Sequence, residues 1–376
     1  MIKRILQKTI LSNLSLKKAI LIFGPRQTGK TTLLKQMFDG KRSDILWINA
    51  DKIADRLLLE QESFQNFISF LADKKYLIID EAQRIENIGL KLKIIFDETD
   101  INIIATGSSS FDLAGKINEP LTGRKLQYKL YPFSFEELAK EFGVFEEYKN
   151  LTARLIYGSY PDVVIQQGHR QELLQNLASS YLYKDVLEWD LIKNSDRLLK
   201  LLKALAFQVG SQISYNEIGQ LIGASSKTVE NYIDILEKCF VIFKLQGFSR
   251  NHRNELKKTK KIYFYDNGIR NVLINNFNFP DTRNDMGILW ENYIISERIK
   301  YTDYHQIYTN RYFWRTKNKQ EIDYIEERDG KLYAYEFKWS KHKKVKIPQS
   351  FLQAYPDAET KIITPDNYIE FITGEK

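Results

Sequence analysis

The first third of the chain alternates short apolar runs with amphipathic segments. Four runs rich in Ile and Leu have the length of buried strands, at residues 19–23, 44–48, 76–79 and 101–105. Three segments between them have helical spacing, at residues 30–38, 63–72 and 88–98. Buried strands that alternate with helices predict an α/β fold with a doubly wound parallel sheet.

The pattern changes twice after this region. Ser134, which follows a Tyr-Pro-Phe turn, is suited to cap a new helix, and residues 135–274 are mainly helical in pattern. A helix at 287–300 then precedes segments rich in Tyr, Phe and Ile, which are typical of strands. These predicted strands are residues 305–314, 320–326 and 331–338, with a hairpin turn at 327–330. We therefore predict three domains: residues 1–134, 135–275 and 276–376.

Composition and charge narrow the class of protein. The 376 residues carry a net charge of +8, which suits a polyanionic partner such as nucleic acid or serves solubility alone. Cys239 is the only cysteine, so an intramolecular disulfide and a cysteine zinc site are excluded. The sequence has no signal-peptide pattern and no run of about 18 apolar residues, so we expect a cytoplasmic protein with no membrane partner.

A strand end, a glycine-containing turn and a helix start meet at residues 24–32. Backbone N–H groups in such a turn converge on phosphate groups. Lys30 is placed to reach the β- and γ-phosphates, and the Thr31 hydroxyl is placed to bind Mg²⁺. The pattern is a P-loop and predicts ATP with Mg²⁺ as the ligand. The predicted nucleotide-binding residues are Gly24, Pro25, Arg26, Gln27, Thr28, Gly29, Lys30, Thr31 and Thr32.

Polar residues at later strand ends complete this prediction. Asp80 ends an apolar strand and would hold Mg²⁺, while the adjacent Glu81 would polarise the attacking water. Thr106 or Ser108 could contact the γ-phosphate, or the segment could simply cap the next helix. Arg124 could stabilise transition-state charge in cis or in trans within a homo-oligomer, or it could be an exposed structural arginine. The predicted catalytic residues are Lys30, Glu81, Thr106 and Arg124.

These motifs together resemble one family. Gly-Pro-Arg-Gln-Thr-Gly-Lys-Thr-Thr, Ile-Asp-Glu-Ala-Gln, Thr-Gly-Ser-Ser-Ser, Leu-Thr-Gly-Arg and Tyr-Pro-Phe-Ser-Phe-Glu-Glu are similar to motifs of bacterial and archaeal AAA-type ATPases whose C-terminal half is a domain of unknown function. The resemblance covers nearly the whole chain and includes residues 158–161 and 181–186. It implies an additional-strand AAA-type P-loop domain that binds ATP, and it implies little about biological role.

Residues 214–240 have the spacing of two amphipathic helices around a turn. The predicted core positions are Ile218, Leu221, Val229, Ile233 and Leu236. Segments 243–248 and 261–265 predict a strand pair around a basic loop. Its cations are Lys244, Arg250, Arg253, Lys257, Lys258, Lys260 and Lys261. A winged helix with a basic wing indicates contacts with DNA phosphates, and internal packing is the alternative.

The last domain combines acidic residues with a lysine. Glu336 and Lys338 are two apart in a predicted strand and so point to the same side, while Asp323 lies on the preceding strand. Two carboxylates could share a divalent ion there, with Lys338 orienting a water. With a glutamate on the preceding helix, the arrangement resembles the restriction-endonuclease-like PD-(D/E)xK core, although Ile-Asp replaces Pro-Asp. The resemblance implies metal or catalytic roles for Glu291, Asp323, Glu336 and Lys338, or a nuclease fold retained only for binding.

The sequence therefore supports two functional hypotheses. The first is an ATP-hydrolysing AAA-type ATPase that acts as a DNA-associated switch or motor and carries a C-terminal nuclease-like module. The alternative is a non-catalytic, ATP-dependent signalling or scaffolding protein whose winged helix and last domain only bind partners. Stimulation of ATP turnover by DNA would distinguish them.

Overall fold

A computed structural model describes residues 1–40, 42–60, 64–108, 120–179, 195–249, 260–340 and 346–374. The chain divides into two compact units, residues 1–132 with 238–240, and residues 133–237 with 241–376. Some positions singled out above lie outside the described residues. They are residues 109–110 and 181–186 and the cations Arg250, Arg253, Lys257 and Lys258.

The first unit is built on a five-stranded parallel sheet. Its strands are β1 Ala19–Phe23, β2 Ile45–Asn49, β3 Tyr76–Asp80, β4 Asn102–Gly107 and β5 Lys125–Lys129. They pair in the order β2-β3-β4-β1-β5, and every pair is parallel. All five residues of β1 are buried, as expected for a central strand of a parallel sheet. The predicted α/β fold is confirmed, and β4 lies between β3 and β1.

Five helices of this unit are described. They are α1 Ile5–Asn13, α2 Lys30–Met37, α3 Ile53–Glu60, α4 Phe64–Ser69 and α5 Ile88–Glu98. The pattern predicted α2, α4 and α5, since helices such as α5 bury Ile88, Leu92 and Ile95 at helical spacing. It missed α1, in which only Leu6 and Ile10 are buried, and α3, in which only Leu59 is buried, because so few buried positions give a weak helical periodicity.

The second unit combines helices with a larger sheet. Its helices are α6 Phe135–Phe142, α7 Val144–Lys149, α8 Leu151–Tyr157, α9 Pro161–Ile165, α10 Arg170–Leu177, α11 Ser195–Phe207, α12 Tyr215–Ile222, α13 Ser226–Lys238, α14 Asn267–Leu273, α15 Met286–Tyr304, α16 Gln349–Ala354 and α17 Tyr368–Thr373. The predicted cap of α6 is confirmed: Ser134 Oγ accepts a hydrogen bond from Glu137 N, and the Glu137 carboxylate accepts one from Ser134 N.

One seven-stranded sheet runs through this unit. Its strands are β6 Gln212–Ile213, β7 Ile242–Gly247, β8 Lys260–Phe264, β9 Asn310–Arg315, β10 Glu321–Arg328, β11 Lys331–Phe337 and β12 Glu359–Ile363. The order is β12-β11-β10-β9-β7-β8-β6, with β7 and β9 parallel. Strands from both sides of residue 275, where we predicted a domain boundary, therefore share one sheet.

Three local expectations are corrected by the structure. Strand β9 begins at Asn310 rather than at 305, because α15 continues to Tyr304. Leu221 is 64% exposed, and Ile222 is buried in its place, because a residue four positions after Ile218 returns to the same helix face. Strand β12 was not predicted, since three of its five residues are exposed.

Candidate functional site

The loop between β1 and α2 is shaped by two glycines. A Cβ atom on Gly24 would lie 2.1 Å from the Leu130 carbonyl oxygen, so only glycine fits there. Gly29 has φ +89° and precedes the first residue of α2, a backbone conformation that favours glycine. The buried Lys30 ammonium donates to the carbonyl oxygens of Gly24 at 2.8 Å and Pro25 at 3.0 Å. The lysine therefore lies over its own loop.

A buried arginine braces the same loop. The Arg4 guanidinium donates to the carbonyl oxygens of Thr28 at 2.7 Å and Tyr131 at 2.6 Å, and Arg4 is buried. Sequence reasoning missed this role, because nothing local relates Arg4 to a loop 24 residues away. An arginine in an amphipathic segment just before the first strand was the only available signal.

Hydroxyl and carboxylate groups meet at the carboxyl ends of β3 and β4. Thr31 Oγ1 donates to Asp80 Oδ2 at 2.6 Å, and Thr106 Oγ1 donates to the other Asp80 oxygen. The Glu81 backbone N–H donates to Thr106 Oγ1 at 3.1 Å. Asp80 and Thr106 are buried. The structure thus places Thr31, Asp80, Glu81 and Thr106 in one connected cluster, whose hard oxygen donors suit Mg²⁺.

Glu81 is held by groups on both sides. Its Oε1 lies 3.9 Å from the Lys30 ammonium, and its Oε2 accepts a hydrogen bond from Gln83 Nε2 at 2.7 Å. The same Gln83 nitrogen donates to Ser108 Oγ at 3.1 Å. Gln83 thereby connects the two polar groups that we assigned to water activation and phosphate sensing. Gln83 is part of the Ile-Asp-Glu-Ala-Gln motif, but the sequence analysis predicted no role for it.

Arg124 has a different partner. Its guanidinium pairs with Asp97 on α5 at 3.1 Å, and both side chains are 40% exposed. Its carbonyl oxygen accepts a hydrogen bond from Ala19 N at 2.9 Å, which fixes the turn before β5. The structure therefore places this arginine beside Asp97 and not within the Asp80 cluster.

A second polar cluster lies on β10, β11 and α15. Asp323 stands opposite Glu336, one position beyond the cross-strand pair of Tyr324 and Tyr335. The Lys338 ammonium lies 2.9 Å from Glu336 Oε2 and 3.6 Å from Asp323 Oδ2. Both carboxylates therefore face one ammonium group.

Glu291 joins this cluster from α15. Tyr263 donates its hydroxyl to Glu291 Oε1 at 2.6 Å, and the Lys261 ammonium lies 3.5 Å from the same oxygen. Burial, reinforced by the negative charge of Asp323, raises the pKa of Glu291 to about 7 and that of Glu336 to about 7. Lys261 and Lys338 oppose these shifts.

This cluster does not fit a metal ion as it stands. Ammonium groups occupy the positions next to its carboxylates. Within the described parts of the chain, no group of three or more His, Cys, Asp or Glu side chains is arranged to hold a metal. One oxygen, Glu336 Oε1, is buried without a hydrogen-bond partner among the described residues.

The basic wing also changes in the structure. Lys261, predicted to contact DNA, is 2% exposed and pairs with Glu321 as well as Glu291. Lys244 pairs with Asp234 and Glu237, each at 2.6 Å. Both lysines were assigned to the wing because a charge run carries no information about burial. They neutralise carboxylates of this unit instead.

Three family profiles match separate segments of the chain. Residues 16–139 match an AAA domain, residues 148–279 match the Domain of unknown function (DUF8612), and residues 286–373 match the Domain of unknown function (DUF4143). The predicted order, an AAA-type ATPase domain followed by a C-terminal domain of unknown function, is confirmed. The chain therefore contains an AAA-type P-loop ATPase domain.

Three relatives match between 66% and 85% of this chain at 23–29% identity. An uncharacterized protein of Haemophilus influenzae is 27% identical over 66% of this chain and 67% of its own length. One of Methanocaldococcus jannaschii is 29% identical over 68% of this chain, and the match covers 62% of that protein. One of Mycobacterium tuberculosis is 23% identical over 85% of this chain and 70% of its own length.

Two solved structures are also similar. The Walker-type ATPase of Pyrococcus abyssi is 18% identical, with 72% of this chain and 94% of that chain covered and a TM-score of 0.49. The RuvB Holliday junction branch migration motor of Thermotoga maritima is 16% identical, with 67% and 95% covered and a TM-score of 0.31. Likenesses this distant carry no functional argument. Among the described helices, none combines the length and apolar character needed to cross a membrane.

Proposed function

We propose that the protein binds ATP with Mg²⁺ and hydrolyses ATP. The observation that carries the proposal is the hydroxyl–carboxylate cluster of Thr31, Asp80 and Thr106 beside Lys30. Lys30 and the backbone of the loop would hold the phosphates, and Thr31 and Asp80 would hold the ion. A bound Mg²⁺ would neutralise phosphate charge.

Glu81 is the group that we propose to orient the attacking water and accept its proton. Its carboxylate is fixed by Gln83 and lies beside the Lys30 ammonium. Thr106 and Ser108 extend from the neighbouring strand end toward the same residues. A carboxylate held from two sides needs little reorganisation before it accepts a proton.

ATP turnover by the full chain tests this function. Wild-type protein with Mg²⁺ is expected to release phosphate, and Lys30→Ala is expected to abolish turnover because the phosphate-binding charge is lost. Lys35→Ala, an exposed lysine on the same helix, is the matched control and should behave as wild type. Equal rates for Lys30→Ala and Lys35→Ala would contradict the proposal.

Arg124 is proposed to act in trans within a homo-oligomer. Its exposed guanidinium pairs only moderately, at 3.1 Å and in solvent, so a neighbouring copy could draw it away from Asp97. Mixing Arg124→Ala protein with Glu81→Gln protein should then restore part of the turnover that each lacks alone. A monomer at all concentrations with full turnover would refute the trans role.

DNA association is the proposed biological setting. It is supported by the net charge of +8 and by the sequence order of α12, α13 and the β7–β8 strand pair, which suits a winged helix. Duplex or single-stranded DNA should stimulate ATP turnover, and binding should weaken steeply with salt. The absence of any DNA binding at low salt would favour the alternative, a switch that binds only protein partners.

Nuclease activity is a second candidate function. It is favoured by the approach of Asp323, Glu336 and Lys338 to one another. It is opposed by the lysine pairing described above. The test is DNA cleavage with Mg²⁺ or Mn²⁺ by wild-type protein and by Asp323→Ala. Cleavage lost in the variant would establish the activity, and no cleavage by either protein would leave a binding domain.

A further inference from the structure

A cavity of about 480 Å³ lies in the second unit and shares no lining residue with either polar cluster. Its walls come from α7, α8, α10, the turn before α10 and the segment after α14. The lining residues that matter here are Lys149, Thr152, Tyr157, Gln167, Arg170 and Phe279. A volume of this size suits a small organic molecule.

The charges around this cavity are unbalanced. Two of its lining residues, Lys149 and Arg170, are cationic, and its described lining includes no Asp or Glu. Lys149 pairs with Glu146 at 2.6 Å. The Arg170 guanidinium makes no hydrogen bond and no ion pair with another described residue, and its Nε is buried without an acceptor. The Arg170 guanidinium therefore lines the cavity without a hydrogen-bonded or ion-paired acceptor among the described residues.

Surrounding groups make this charge unfavourable in the protein alone. Burial, together with the positive charge of Arg154, lowers the pKa of Arg170. Tyr157 and Glu147 act in the opposite direction on Arg170, but Glu147 makes its two hydrogen bonds, of 2.6 and 2.9 Å, with Arg154. An oxyanion beside Arg170 would supply the missing acceptor and offset the repulsion.

Aromatic groups define the rest of the cavity. The Arg170 guanidinium carbon lies 5.5 Å from the centre of the Tyr157 ring, and that ring stacks on Phe277 at 5.7 Å. Phe279 lies at the cavity and is 67% exposed. Thr152 and Gln167 add hydrogen-bonding groups. Such a wall favours a ligand with a planar, apolar body.

We propose that this cavity binds a small organic oxyanion, a phosphate or carboxylate carried on an aromatic body, with Arg170 as its principal anchor. The guanidinium binds the anion through its two terminal nitrogens, a planar geometry that a lysine cannot reproduce. The ring packs against Tyr157 and Phe279. None of the cavity's lining residues belongs to the P-loop.

Calorimetric titration with phenyl phosphate and with benzoate tests the proposal and separates the two anion sources. The parent protein is the full chain with Lys30→Ala, so that phosphate binding at the P-loop contributes little. Arg170→Gln should weaken binding of the better probe at least about tenfold, and Arg170→Lys should weaken it less. Arg197→Gln, an exposed arginine that does not line the cavity, is the matched control.

A direct readout covers the case in which Arg170→Gln fails to fold. The Nε–H signal of Arg170 in an NMR spectrum of the parent protein, assigned through Arg170→Lys, should shift when the probe is added. Preference for phenyl phosphate or for benzoate identifies the anion. Equal affinity in parent and Arg170→Gln, an Nε–H signal that does not move, or no binding of either probe would overturn the proposal.

Discussion

The two polar clusters of this protein differ in the partners of their buried charged groups. Around Asp80, one carboxylate accepts hydrogen bonds from two neutral hydroxyl groups, and the nearby Lys30 is satisfied by loop carbonyls. Around Asp323, several carboxylates crowd together with Lys261 and Lys338. In the described part of the first cluster, Asp80 has no ion pair with Lys30, so both groups can bind a ligand. In the second cluster, the carboxylates form ion pairs with the lysines.

This difference has an electrostatic consequence. Burial and like charge raise the pKa of Glu291 and Glu336 to about 7, so the second cluster titrates within the physiological range. Proton uptake there is linked to stability. We therefore expect variants of the first cluster to change ATP turnover, and variants of the second to change stability and its pH dependence.

Glu81→Gln should have the largest effect. It keeps the size of the side chain but removes the proton acceptor, so ATP turnover should fall by about 10²–10⁴-fold while nucleotide binding is retained. Single-turnover phosphate release and equilibrium nucleotide binding measure the two quantities. Glu86→Gln, an exposed glutamate in the same unit, serves as the control. Wild-type turnover by Glu81→Gln would remove Glu81 from the mechanism.

Lys261→Met should mainly affect stability. The ammonium is buried between Glu291 and Glu321, and these carboxylates hold the pKa of Lys261 above its usual value despite the opposing effect of burial. Its charge is therefore present at both pH 5 and pH 8. Loss of this partner should reduce the free energy of unfolding by about 3 kcal/mol at pH 8. The loss should be smaller at pH 5, where Glu291, whose pKa is raised to about 7, is protonated.

Denaturant titrations at both pH values measure this effect. Lys260→Met is the matched control, because Lys260 is adjacent in β8 but only half-buried, with its ammonium 5.6 Å from the Tyr215 ring centre. An equally small effect of both substitutions would show that Lys261 does not neutralise the cluster. ATP turnover should be unchanged in both variants if the two clusters act separately.

Gln83→Ala should reduce ATP turnover by roughly tenfold through Glu81. The substitution removes the hydrogen bond that fixes Glu81 Oε2 and the link to Ser108, and a lost hydrogen bond to a charged group typically costs about 1.5–3 kcal/mol. The expected signature is a lower kcat with an unchanged KM for ATP, because Gln83 has no role in binding. A raised KM with normal kcat would assign Gln83 to the nucleotide instead.

The same contrast explains what could be predicted from the sequence. Lys30, Thr31, Asp80 and Glu81 are local to strand ends, and the parallel order of the sheet brings strand ends together. The sequence also predicted the approach of Asp323, Glu336 and Lys338. The alternation of side chains along a strand and the hairpin between β10 and β11 place all three on the same face of the sheet.

Long-range partners could not be predicted. Lys261 pairs with Glu291 although the sequence analysis assigned its strand to a DNA-binding wing. Arg4 forms a hydrogen bond with Tyr131, which lies 127 positions later in the sequence. Neither the local hydrophobic periodicity nor the charge of a residue indicates which distant residue it will contact. Burial of Lys261 depends on the pairing of β7 with β9, which joins two segments that looked independent.

Glu336→Gln should produce the most specific effect, a gain in stability confined to neutral and alkaline pH. Burial first, and then the charge of Asp323, hold the pKa of Glu336 near 7, above the ordinary value of 4.5. The folded protein therefore binds more protons than the unfolded chain between about pH 4.5 and 7, so stability from this group is present at low pH and is lost as pH rises through 7.

Glutamine imitates the protonated form. The variant should be close to wild type at pH 4.5 and exceed it by at most about 3 kcal/mol at pH 8, because the rise of the pKa from 4.5 to about 7 spans about 2.5 units of about 1.4 kcal/mol each. Thermal unfolding at a series of pH values, with the exposed Glu172→Gln as control, measures this. A variant that is less stable than wild type at pH 8 would mean that the Lys338 ion pair at 2.9 Å outweighs the burial of the carboxylate, and the contrast between the two clusters would fail.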